Sequence, residues 1–271
     1  MDTKLLSPHE IERWTPPSLR YIVGCSEIKE HFADMLRVDG YGPNTLFTGG
    51  TGTGKTAGVR AYLRTLMCPN RNPSTLDVCG QCQSCEQFDG RYSHAGLYAE
   101  FSSRVSAAGL PIHYIVLNCS CITKQEWKHF VGEIGAWNDL TVVYIDNFHR
   151  LQERGLMDKA LHLMEDPKTV WIATAPSADM LSHEVLERFS VVLSTSLASS
   201  EEFVAFLQER CSEWGLNPHD GESLVLLGEH SKLNPRAAIH FLVVVAGKRV
   251  RAFDGTDVED YFGHEKKGES E

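Results

Sequence analysis

The chain has 271 residues, 42% apolar and 23% charged, with a formal net charge of −10. That balance fits one large or two modest globular units with a sizeable core, and an acidic surface excludes a general nucleic-acid attractant while leaving room for a local basic strip. No apolar run approaches the roughly 20 residues that span a bilayer, and the N-terminus lacks a signal-peptide layout, so a cytoplasmic protein without membrane contact is expected.

Residues 1–20 carry Pro8, Pro16 and Pro17 and read as an extended arm. From Tyr21 to Val38 the pattern turns helical, with Ile28, Phe32, Met35 and Leu36 on one face, and Gly40, Gly42 and Pro43 break it. A short apolar strand, Thr45 to Thr48, then runs into Gly49-Gly50-Thr51-Gly52-Thr53-Gly54-Lys55-Thr56, which fits the phosphate-binding pattern GxxxxGK(S/T). The helix that follows would bury Val59, Tyr62, Leu63, Leu66 and Met67, and the loop with Ala57 just after it is expected to bind the nucleotide. The glycines allow backbone N–H groups to turn toward a phosphate, and the helix N-terminus adds partial positive charge. Lys55 would reach the β- and γ-phosphates, and the Thr56 hydroxyl would take a place on Mg²⁺. The pattern implies a bound nucleoside triphosphate.

Cys68, Cys79, Cys82 and Cys85 follow as C-x10-C-x2-C-x2-C. Four thiolates make the tetrahedral sulfur set of a structural Zn²⁺ site, a staple with no open position for catalysis. Buried free thiols, a redox pair and an iron–sulfur cluster are the alternatives. Residues 86–111 carry Gly90, Gly96, Gly109 and Pro111, and an amphipathic piece around Leu97 to Val105 has no assigned role. Ile112 to Asn118 reads as a strand, Cys119 and Cys121 as packing residues, and Lys124 to Trp137 as a helix with Trp127, Phe130, Val131 and Ile134 on one side.

Thr141 to Asp146 is a continuous apolar run closing on a carboxylate, as in a parallel strand buried on both faces. Asp146 would face the nucleotide and hold Mg²⁺. Asn147 stands where many such ATPases place the Glu that orients the attacking water, and an amide cannot accept that proton. Leu156 to Glu165 reads as a helix and Val170 to Ala175 as a strand whose Thr174 could meet the γ-phosphate or water, or be an ordinary strand residue. Ser182 to Phe189 reads as a short helix containing Arg188, and Val191 to Leu193 as a fifth strand. After residue 198 the pattern is helical, with Asn234-Pro235-Arg236 opening the last helix, and the charged tail reads as a solvated end.

These pieces together resemble an AAA+ ATPase, and more narrowly the bacterial clamp-loader ATPase subunit of gamma/tau type, over roughly residues 20 to 247. The four-cysteine module directly after the P-loop helix, His149 three residues after Asp146, the Leu-Met-Glu-Asp-Pro helix end and Ile-Ala-Thr-Ala (172–175) carry the likeness. The resemblance implies a parallel five-stranded α/β core over residues 21–197 with the zinc module inserted at about 68–85, a helical lid over 198–250 and a flexible tail over 251–271. It implies ATP held between neighbours in a homo- or hetero-oligomer that contacts DNA as an assembly, with a sliding clamp or another protein as partner. It places Val23 and Gly24 near the adenine, Arg188 as a finger sent into the neighbour's site, and Arg236 on the phosphate of its own subunit. Arg188 could equally be a surface charge. Asn147 in place of Glu, and the lack of a collar after the lid, depart from that family. A hydrolysis-poor switch and a regulator of transposition or antiphage defence are the competing expectations.

Overall fold

The computed structural model describes residues 6–12, 14–37, 42–86, 100–105, 111–120, 122–136 and 138–268. Helices α1 (Pro8–Glu12) and α2 (Ser26–Arg37) precede strand β1 (Thr45–Thr48), and the glycine-rich loop leads into α3 (Lys55–Met67). Strands β2 (Glu100–Val105) and β3 (Pro111–Asn118), helix α4 (Lys124–Ala136) and strand β4 (Leu140–Asp146) follow. Next come α5 (His149–Glu153), α6 (Met157–Met164), β5 (Thr169–Ala175), α7 (His183–Leu186) and β6 (Val191–Ser194). The rest is α8 (Ser200–Trp214), β7 (Asn217–Pro218), α9 (Gly221–His230), α10 (Pro235–Gly247), β8 (Ala252–Phe253) and α11 (Gly255–Gly268).

One sheet has the order β2-β3-β4-β5-β1-β6. The five strands from β3 to β6 run parallel, as expected, and β2 adds an antiparallel edge through the register Glu100↔Val116 to Val105↔Pro111. That strand is what the amphipathic piece expected around Leu97 to Val105 forms from Glu100 on; residues 97–99 lie outside the described residues. The continuous apolar runs are divided by the pleat, because successive side chains leave a strand on opposite faces. Leu46, Val143, Ile145, Trp171 and Ala173 pack on one side with Trp127, Phe130 and Met164. Phe47, Val142, Tyr144 and Ile172 pack on the other with Phe32, Val59, Tyr62 and Leu63. A parallel sheet covered on both faces is the result.

The C-terminal helices hold a third cluster, built on Phe203, Trp214, Leu227, Phe241 and Val245. Three of them open on a cap: Ser199 accepts from Glu202 N, Asp220 from Ser223 N, and Asn234 from Arg236 N and Ala237 N. Two expectations are corrected here. The supposed tail forms β8 and α11, where Phe253, Val258 and Phe262 are buried in this cluster. The supposed extended arm forms α1, whose Ile11 is fully buried in the same cluster. Among the described residues, no helix is long and apolar enough to cross a membrane.

Candidate functional site

The site lies at the C-terminal end of β1, where the chain turns from strand to helix. Gly49, Gly52 and Gly54 have φ of 139°, 82° and 95°, which glycine reaches without a Cβ clash. At Gly52 a Cβ would also stand 2.2 Å from the Asn234 side chain. The loop is tied by Thr53 Oγ1, which donates to the Gly50 carbonyl at 2.8 Å and meets Thr195 Oγ1 at 2.8 Å. Behind it the buried Cys25 thiol donates to the Thr53 carbonyl at 2.9 Å, and burial pushes that thiol up to about 11, so it stays a neutral donor. Lys55 Nζ donates to the carbonyls of Gly49 and Gly50, both at 2.6 Å. Burial lowers the pKa of its ammonium from the ordinary lysine range, while Asp146 acts in the opposite sense. The ammonium is thus held directly over the loop.

Asp146 ends β4 beside this loop. Its Oδ1 accepts from Thr56 Oγ1 at 3.1 Å and from Thr174 Oγ1 at 2.5 Å. A hydroxyl and a carboxylate oxygen side by side are the hard ligands that Mg²⁺ takes, so the pair fits that ion. The buried Thr174 hydroxyl also accepts from Asn147 N at 3.1 Å. It therefore bridges Asp146 and Asn147, and its donor is spent on the carboxylate. Asn147 has φ of 59°, a left-handed conformation that Asn tolerates better than most residues. Its Nδ2 donates to Ser120 Oγ at 3.1 Å and to Asn118 Oδ1 at 3.4 Å. Arg154 holds that neighbouring loop by donating to the carbonyls of Ser120 and Ile122. Sequence reasoning missed Asn118, Ser120 and Arg154, whose spacing from Asn147 follows no local period.

A cleft of about 270 Å³ opens beside the loop. Gly52, Gly54, Lys55, Thr56, Ala57 and Val23 line it, and Arg236 reaches it from the first turn of α10. Gly50, Thr51 and Thr53 complete the loop that carries these residues. Gly24, next to Val23, has φ of 67°, and a Cβ there would meet Ala198 N at 2.7 Å, so the position requires glycine. Asn234 Nδ2 donates to the Thr51 carbonyl at 3.0 Å, joining the α10 cap to the loop. The remaining walls were not singled out from sequence. Trp14, Thr15, Pro16, Tyr21 and Ile22 come from the N-terminal segment, with Phe206, Ile239 and His240 from the C-terminal helices.

Arg188 is not brought to this site. Asn44, which precedes β1, donates from Nδ2 to the Arg188 carbonyl at 3.1 Å, placing Arg188 toward the strand end opposite the loop. Its guanidinium pairs with Glu165 at 2.6 Å.

The four cysteines of the C-x10-C-x2-C-x2-C run do converge, with all four Sγ atoms within 4.8 Å of one another. Cys68 lies 3.7 Å from Cys79 and 4.0 Å from Cys82, and Cys82 lies 3.6 Å from Cys85. A tetrahedral metal with bonds of about 2.3 Å requires sulfur–sulfur edges near 3.8 Å, whereas a disulfide requires about 2.0 Å. The set fits a metal. The backbone amides of Gln81 and Cys82 help bring the Cys79 thiol down to about 6, favouring its thiolate. Cys119 stays apart, buried against β4 and β5 residues, and Cys121 lies outside the described residues.

Solved structures share this architecture. The RuvB Holliday junction branch migration motor of Thermotoga maritima matches with a TM-score of 0.61 at 14% identity, covering 94% of this chain and 73% of that one. PCH-2 of C. elegans matches with a TM-score of 0.53 at 14% identity, covering 93% of this chain and 70% of that one. The fold is the AAA+ fold. No protein-family model and no curated protein matches the sequence.

Proposed function

We propose that the chain is an ATP-binding AAA+ subunit of clamp-loader type, working in an oligomer on DNA during replication or a related transaction. The carrying observation is the convergence of Lys55, Thr56 and Asp146 at one strand edge, with Arg236 entering the same cleft from the C-terminal helices. In this reading residues 198–250, joined by α11, act as a lid over the core of residues 21–197. The glycine-rich loop and α3 bind the triphosphate through backbone N–H groups and charge. Lys55 leaves the Gly49 and Gly50 carbonyls to hold the β- and γ-oxygens, and Arg236 holds phosphate from the lid side. Thr56 and Asp146 would hold Mg²⁺, which neutralises charge on the phosphates when bound. The cysteine cluster would hold Zn²⁺ in the reducing cytoplasm, where thiolates persist as ligands. Arg188, away from its own cleft, suits a role in a neighbour's. Closing of subunits around DNA or a partner such as a sliding clamp would follow ATP binding, and release would follow hydrolysis.

A second reading has its own observation. The Asn147 amide, engaged by Ser120 and Asn118, can orient a water but cannot take its proton. The subunit then acts as a slow switch whose release depends on a partner, as a scaffold or regulator of a DNA transaction would. Phosphate release by the purified protein, alone and with DNA, tests both readings beside Asn147→Glu and Lys55→Ala. The expected result is slow turnover that Asn147→Glu raises and Lys55→Ala abolishes. Brisk turnover indifferent to Asn147→Glu would remove the switch reading. Turnover indifferent to Lys55→Ala would remove the site.

A further inference from the structure

The N-terminal segment touches three parts of the molecule in turn. At its start Ile11 is buried among the C-terminal helices, Arg251 donates to the Leu6 carbonyl at 2.6 Å, and the Trp14 ring lies 5.6 Å edge-on to Trp214. Arg210 of α8, with a side chain only 1% exposed, sits 5.1 Å from the ring centres of both Trp14 and Tyr21. In the middle, Trp14, Thr15 and Pro16, then Tyr21, Ile22 and Val23, line the cleft. Between these two stretches the chain leaves the cleft and is fixed from behind. Ser18 Oγ donates to Asp77 at 2.7 Å, Arg20 Nε pairs with the same Asp77 oxygen at 3.1 Å, and Arg64 of α3 donates to the Pro17 carbonyl at 3.4 Å.

Asp77 belongs to the cysteine module, two residues before Cys79. The loop between Cys68 and Cys79 is shaped to present it. Asn72 N donates to the Asp77 carbonyl and Leu76 N to the Asn72 carbonyl, both at 2.8 Å. Asn72 Oδ1 accepts from Ser74 N at 2.9 Å and Thr75 N at 3.1 Å. Leu76 has φ of 58°, an unfavourable conformation for its side chain, which nonetheless buries in the same core cluster as Leu19 of the segment and Leu66 of α3. A strained loop of this kind keeps one shape only when its ends are held, and its ends here are two of the four sulfurs.

We infer that the cysteine module positions the wall of the nucleotide cleft: with metal bound, its loop offers Asp77 to Ser18 and Arg20 and so fixes residues 14–23 against the nucleotide. Asp77 is a positioning residue, and metal occupancy sets nucleotide affinity although the metal lies outside the cleft. The effect falls on the nucleoside part, because the triphosphate is held by the glycine-rich loop and not by this segment. The inference rests on the nucleotide reading of the cleft and deepens it.

The test compares Kd for ATP and for inorganic tripolyphosphate across three forms of the full chain: zinc-loaded, chelator-stripped, and zinc-loaded Asp77→Ala. Hydrogen exchange of residues 14–23 is followed without nucleotide. Zinc content and thermal unfolding show that each form is folded, and the Ser18→Ala, Arg20→Ala double variant breaks the same contact while leaving the module whole. Loss of a charge-assisted contact is expected to weaken ATP about tenfold. Tripolyphosphate affinity should hold, and exchange of residues 14–23 should quicken, in the stripped form and both variants. Equal ATP affinity in all forms would overturn the coupling. Parallel losses for ATP and tripolyphosphate would overturn the claim that the segment serves the nucleoside. A zinc-loaded wild type that binds no ATP would instead overturn the nucleotide reading, and the inference with it.

Discussion

His149 shows how a single residue answers to its surroundings. It stands three residues after Asp146, is buried, and its Nδ1 has no hydrogen-bond partner among the described residues. Burial lowers its pKa; Arg150 acts in the same direction, while Glu153 and Asp146 oppose it. His31 is lowered by burial too. Both are therefore kept neutral in the folded state. The unfolded chain binds protons near pH 6.5 before the folded one does, so stability is full above that value and falls as pH drops through it. Thermal unfolding is expected at a lower temperature at pH 5.5 than at pH 7.5, with a smaller difference in His149→Leu. An identical difference in the variant would mean that His149 is charged in the fold without cost.

At the scale of elements, Asn234 makes one side chain serve two structures. It caps α10, which carries Arg236, and it donates to the Thr51 carbonyl of the glycine-rich loop. Asn234→Ala is expected to cost about 1 kcal/mol, the usual worth of a cap, by urea unfolding. It should also weaken ATP binding, because Arg236 and the loop lose their common tie. A variant that loses stability but binds ATP as wild type does would reduce Asn234 to a cap alone. The cap itself was legible, since Asn-Pro before an apolar helix is a local signal. Its reach to Thr51 was not, since that contact spans 183 residues. The same division runs through the fold. Strands β1, β4 and β5 stand out as apolar runs because both faces are covered, while β6, at the far edge with Val192 exposed, shows only as the short run Val191 to Leu193. Strand β2, Glu-Phe-Ser-Ser-Arg-Val, carries no such run and lies at an edge. Helix α11 hides in a charged stretch because Val258 and Phe262, four residues apart, do most of its burying.

Over the whole molecule, the glycine-rich loop, Asp146 and the cysteine set were legible because each needs fixed residue types at fixed spacing. The cleft's other walls were not, because Trp14, Tyr21, Phe206 and His240 meet only when the N-terminal segment lies between core and C-terminal helices. The AAA+ fold shared with RuvB and PCH-2 accounts for the layout but not for what binds in it. The most direct measurement is therefore calorimetric titration of ATP with Mg²⁺ into the wild-type protein and into Lys55→Ala. Binding of one ATP per chain in the wild type, weakened at least about tenfold in the variant, is the predicted result. No ATP binding in the wild type, or equal binding in both, would contradict the account.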